Sequence, residues 1–116
     1  MYVFCVSGSV VSLLDIQGPL FRIEPPYRFE FSNESGGRLD CAAQGSPTPK
    51  IEWLIDNTVI AYVKDLRIAL SNGSLMFPPF PETGFRPDVH STVYRCRASN
   101  EAGVILSRFV HVKAGE

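Results

Sequence analysis

From Gly18 onward, apolar and polar residues alternate in runs too short for a helix, and each run is cut by Pro, Gly, Asn or Asp. That punctuation predicts an all-β sandwich or barrel rather than a helical or βαβ domain. A first edge strand is expected over 19–24, closed by Pro25-Pro26. Over 27–31, Phe29 and Phe31 share one face while Arg28 and Glu30 share the other. After a turn at 32–37, the run 38–44 turns Leu39, Cys41 and Ala43 inward. A proline-stiffened turn at 45–49 leads to a strand over 51–55 that turns in Ile51, Trp53 and Ile55. Asp56-Asn57 breaks it, and 59–63 and 66–70 follow as a short ribbon and a strand. Leu75 and Phe77 point inward before Pro78-Pro79 stops the ladder. The run 92–99 turns in Tyr94, Cys96 and Ala98, a hairpin falls at 100–103, and 104–113 returns as the last strand. In that last run Val110 and Val112 suit the core while Ile105 and Phe109 fall on the opposite face, so a β-bulge is expected to switch the register midway.

The stretch before Gly18 is different in kind. Residues 1–14 are apolar with small residues between, and too short for the roughly 20 apolar residues that cross a bilayer. Residues 1–17 are expected to be a secretory leader, leaving 18–116 as the domain; the other reading is an ordered N-terminal strand. Removing the leader takes away Cys5 and leaves an even pair of cysteines. At 116 residues there is room for one domain, expected to be the first module of a longer polypeptide.

The remaining pair carries the most information. Cys41 and Cys96 lie 55 positions apart, both facing inward, with Trp53 twelve residues after the first and Tyr94 two before the second. This spacing resembles an immunoglobulin domain: a disulfide across two sheets, an indole packed on it, and a corner tyrosine bonding back to the main chain. The expected fold is thus an all-β, immunoglobulin-like (I-set type) β-sandwich of two antiparallel sheets with one inter-sheet disulfide, Cys41–Cys96. Disulfides persist in oxidising compartments, so the domain is expected to be extracellular. A cytosolic module with two unrelated core cysteines is the bland alternative.

Charge and catalytic chemistry narrow the function. With 11 basic and 12 acidic side chains, no basic surplus marks a nucleic-acid binder. His90 and His111 stand alone, without a second ligand at metal-binding spacing, and no Gly-x-Ser-x-Gly elbow or phosphate-cradling glycine loop occurs. The chain is expected to bind protein, without a cofactor, without catalysis and without membrane insertion of its own. Asn33-Glu34-Ser35 and Asn72-Gly73-Ser74 are N-glycosylation sequons in expected turns. On the sheet bearing Trp53, Cys96 and the last strand, the outward positions are expected to be Glu52, Leu54, Tyr62, Arg95, Arg97, Ile105 and Phe109. Apolar anchors among arginines suit the core of a protein interface.

Longer stretches are more specific. Gly18-Pro19, Glu24-Pro25-Pro26, Phe31-Ser32-Asn33, Gly45-x-Pro-x-Pro49, Asp65-Leu66-Arg67, Leu75-x-Phe77-Pro78-Pro79-Phe80, Val89-His90, Tyr94-x-Cys96 and Ser107-Arg108-x-Val110-His111-Val112 cover nearly everything from Gly18 on. Together they resemble the first immunoglobulin domain of the invertebrate Dscam family of cell adhesion molecules. The resemblance implies homophilic recognition and self-avoidance between cells, the partner being the same protein on an apposed cell or other domains of its own chain. In long family members the first domain packs against the fourth. An arthropod immune module binding foreign ligands is the alternative it implies. One departure from the general immunoglobulin pattern is His90, where an Asp usually precedes the corner tyrosine and pairs with a buried arginine.

Overall fold

The computed structural model describes the backbone at 3–6, 9–12 and 16–115, with side chains over 16–115. In chain order the strands are β1 (Val3–Val6), β2 (Ser9–Ser12), β3 (Gln17–Ile23), β4 (Arg28–Ser32), β5 (Gly37–Leu39), β6 (Ala42–Ser46), β7 (Lys50–Ile55), β8 (Thr58–Val59), β9 (Ile68–Ala69) and β10 (Leu75–Phe77). A one-turn helix α1 (Pro87–His90) precedes β11 (Ser91–Asn100), β12 (Gly103–Leu106) and β13 (Val110–Gly115). Of the expected leader, 1–17, only the backbone at 3–6, 9–12 and 16–17 and the side chains of 16–17 are among the described residues. Within it, β1 pairs antiparallel with β2.

Two layers build the sandwich. The larger runs β4–β13–β11–β7–β8, with β12 also on β11; the smaller holds β5–β10–β9 and the β3–β6 pair. Glu24-Pro25-Pro26 is where the first strand changes layer. Proline offers no N–H to a ladder, so pairing with β6 stops at Ile23 and resumes at Arg28 beside β13. That resumed pairing is parallel, so the expectation of wholly antiparallel sheets gives way at this one edge.

Between the layers lie Leu39, Cys41, Trp53, Leu75, Phe77, Val89, Tyr94, Cys96, Val110 and Val112. Phe29, Phe31 and Phe77 continue the core as a chain of rings with centroids 5.4 and 5.2 Å apart. Each large apolar side chain fully removed from water contributes about 1.5–3 kcal/mol before entropy is subtracted. Cys41 sits in the break between β5 and β6 and is joined to Cys96 in the middle of β11, the Cα atoms 6.5 Å apart.

The register switch in the last run is present. β12 pairs Ala98 with Ile105, but β13 pairs Tyr94 with Val110, so one extra residue lies between the two ladders. Ser107 fills the gap: its N–H donates to the Cys96 carbonyl at 2.8 Å, and its Oγ accepts from the Cys96 N–H at 2.8 Å. Both polar groups of the Cys96 peptide, buried at the centre of the domain, are thereby satisfied.

Other elements are shorter than the alternation suggested. The ribbon expected over 59–63 is only Thr58–Val59, reached from β7 through a two-residue turn in which Asp56 and Asn57 both have positive φ, 50° and 63°. The strand expected over 66–70 is only Ile68–Ala69, joined by one bridge between Val63 and Arg67. Helix α1 has no periodic signature because a single turn is too short to show one.

Candidate functional site

The corner before β11 is built first, because it fixes the strand that carries most of the outward face. Tyr94 is fully buried, and its hydroxyl donates to the Val89 carbonyl at 2.7 Å, five residues back, stapling α1 to the core. Burial raises the phenol's pKa above 10, while the hydrogen bond from Arg67 works the other way. Arg67, 7% exposed, donates from Nε and an Nη atom to the Ala61 carbonyl (3.2 and 2.9 Å) and from the other Nη to Tyr94 Oη (3.3 Å). No carboxylate among the described residues lies within ion-pair distance of it. Asp88 turns away to Arg86 at 2.6 Å.

His90 stands four residues before Tyr94, at the position where an aspartate is usual. Its ring stacks on Phe80 at 3.9 Å, with Phe85 and Phe31 further out, and its Nδ1 accepts the Arg86 N–H at 2.9 Å. The imidazole is therefore neutral with its proton on Nε2. Burial, then the nearby Arg86 charge, lowers its pKa from the ordinary 6.5, with Asp88 opposing. A histidine whose folded pKa is depressed stabilises fully above its unfolded value, and that stability is lost as pH falls below 6.5 toward the folded value. The loss approaches about 1.4 kcal/mol per pH unit. Urea unfolding should show lower stability at pH 5.5 than at pH 7.5, by no more than about 1.4 kcal/mol. In His90→Asn that slope should flatten; an unchanged slope would assign it to other groups.

The outward face of the larger sheet holds the sequence-derived interface residues, though not all of them. Glu52 and Arg97 stand opposite each other on β7 and β11 and form an ion pair at 2.8 Å, with Lys50 on the far side of Glu52 at 3.6 Å. The hydrogen bond from Arg97 is the main cause that lowers the Glu52 pKa, and burial resists it. Arg95 lays its guanidinium over the Phe109 ring at 4.4 Å and donates to Asn57 Oδ1 at 2.8 Å. Phe109 is 51% exposed.

Three positions need correction. Leu54 does point outward, opposite Arg95 and Val59, but it is only 2% exposed. It lines a small pocket of about 130 Å³ with Arg95, Phe109 and the Asp56-Asn57 turn, and serves as support rather than contact. Ile105 stands opposite the buried Ala98 and so faces the inner side; the one-residue bulge after it restores Phe109 to the outer face. Its places on the surface belong to Val104 and Leu106, exposed by 60% and 44%. Counting outward from the two-residue hairpin turn would have found this. Tyr62 is 65% exposed but lies on the loop after β8, not on a strand of this sheet.

The two sequons also differ. Asn33 is half-buried, its Nδ2 donating to the Phe80 carbonyl at 3.0 Å while its main chain bonds Phe80 and Gly115. Asn72 is exposed in a turn, its Oδ1 accepting the Ser74 N–H at 2.9 Å.

Comparison with known proteins agrees with this architecture. Residues 19–109 match the immunoglobulin I-set domain. Over 100 residues, 85% of this chain, the sequence is 48% identical to cell adhesion molecule Dscam2 of Drosophila melanogaster, and over 101 residues 46% identical to Dscam1 of the same organism. The chain spans about 5% of the length of either relative. A crystal structure of the N-terminal four immunoglobulin domains of Dscam1 isoform 1.9 superposes with a TM-score of 0.85 at 43% identity, covering 87% of this chain and 26% of that one. The chain therefore belongs to the immunoglobulin I-set family, and within it to the domains similar to those of the Dscam cell adhesion molecules.

Proposed function

We propose that this chain is an extracellular recognition domain of a Dscam-like adhesion receptor, acting through protein contact rather than chemistry, and standing at the receptor's N-terminus behind a leader over 1–17. The observation that carries this reading is the outward face of the larger sheet. There an exposed Phe109 stacks under Arg95, whose row runs through Leu54 to the exposed Val59 on β8, while Leu106 and Val104 are exposed on β12 opposite Arg97 and Ser99. Scattered exposed hydrophobics are ordinary, but aromatic and arginine anchors in adjacent strands have the make-up of an interface core.

Phe109→Asp removes the anchor and leaves the hydrophobic core untouched. In cells expressing the polypeptide that carries this domain, aggregation should fall at least about tenfold, the size expected for a central aromatic anchor. Unfolding of the purified domain should stay within about 1 kcal/mol of the unaltered chain. Undiminished aggregation by the folded variant would move the contact elsewhere.

A further inference from the structure

The same face is electrically lopsided. Along β4 and β13, Arg28 stands beside His111 and Glu30 beside Lys113, all exposed. This end continues across β11 to Arg95 and Arg97 and ends at Lys50 on β7. Among the described residues this face carries five of the chain's 11 basic side chains against three acidic ones, Glu30, Glu52 and, in the turn beside Arg95, Asp56. That is a surplus of two positive charges among the described residues of this face, in a chain whose net charge is −1.

We infer that this face docks a protein surface bearing clustered carboxylates between apolar side chains, and not a second copy of itself. The inference rests on the reading of the face as a contact surface and adds the chemistry of its partner. A two-fold dimer through this face would set like surplus against like, which is costly where water is excluded. Among the described residues, Arg28, Arg95 and Lys113 form no ion pair. Glu24, Asp40 and Asp88 are already held by Arg108, Arg38 and Arg86. A sulfated polysaccharide fits less well than a protein. Phe109, Val104 and Leu106 would remain exposed.

The test uses the 116-residue chain against an immobilised random copolymer of glutamate and tyrosine, with heparin and the chain itself as the competing occupants. The copolymer should bind, and weaken at least about tenfold between 50 and 300 mM NaCl, as expected for partly exposed charge pairs. Arg28→Glu with Lys113→Glu should cost at least about tenfold. Arg22→Glu with Arg38→Glu changes net charge equally from the smaller sheet, and should cost less than about twofold. If the reversals perturb folding, Arg28→Ser with Lys113→Ser should show the same ordering. Three results would each overturn the inference: heparin binding more tightly than the copolymer, a symmetric dimer at micromolar concentration lost in Phe109→Asp, or no copolymer binding. None of them bears on whether cells carrying the receptor aggregate, so the adhesion reading is judged separately.

Discussion

Replacing Cys41 and Cys96 together by alanine is expected to lower the stability of the domain by about 4 kcal/mol. The bridge closes a loop across a separation of 55 residues, and the chain-entropy relation assigns about that value to a loop of this size. The two sulfurs are also buried, at 2% and 0% exposure for the residues, so alanine leaves space against Trp53 and adds a cavity cost in the same direction. A domain of this length has a total stability of about 5–15 kcal/mol, so the loss takes a large share without requiring complete unfolding. The measurement is urea unfolding of both forms. With a slope of about 1.3 kcal/mol per molar urea, the midpoint should fall by about 3 M. A fall below about 1 M would mean that packing of the indole and ring chain, not the cross-link, holds the layers together.

The cysteine, tryptophan and tyrosine spacing was enough to read the sandwich, because those residues sit on regular strands where period 2 holds. What escaped the alternation is physical in each case. The hydropathy of the last run calls for a one-residue bulge but does not say where it falls, so Ile105 is set with Phe109; Ser107, holding both polar groups of Cys96, marks the place. Leu54 sits at an outward position, yet a cross-strand Arg95 stacked on Phe109 helps close over it, a tertiary event with no local signal. At the corner, His90 in place of Asp already puts the usual buried Arg–Asp pair in doubt, but what the ring and the arginine bind instead is not legible in the sequence. Only the structure places Phe80 against the imidazole and leaves Arg67 to neutral acceptors. The Phe-Pro-Pro-Phe stretch then acquires two functions: Phe77 in the core, and Phe80 joining His90 to the Asn33 turn.

The Asn72-Gly73-Ser74 turn shows the same layering, and Gly73→Ala is expected to destabilise the domain by about 3 kcal/mol. Gly73 has φ = +97°, in the region that favours glycine, and a Cβ there would press into the Cys41 carbonyl oxygen. The obstacle is main chain beside the disulfide and cannot swing away as a side chain would. Gly73 also supplies the carbonyl that accepts the Trp53 indole N–H at 2.8 Å, so a turn displaced to make room gives up a buried hydrogen bond as well. Strained φ and the lost bond each cost about 1–3 kcal/mol, with partial relaxation setting the sum near 3. The variant keeps its sequon, since Asn-Ala-Ser still reads as one, so sugar at Asn72 is the same in both forms. Asn72→Gln gives the complementary control: it abolishes the sequon and the short bond to Ser74 but leaves glycine in place, and should cost about 1 kcal/mol or less. Urea midpoints in the order unaltered, Asn72→Gln, Gly73→Ala would tie the stability to the glycine backbone and the indole it holds. Equal midpoints for the two variants would instead place the cost in the asparagine bond or its glycan.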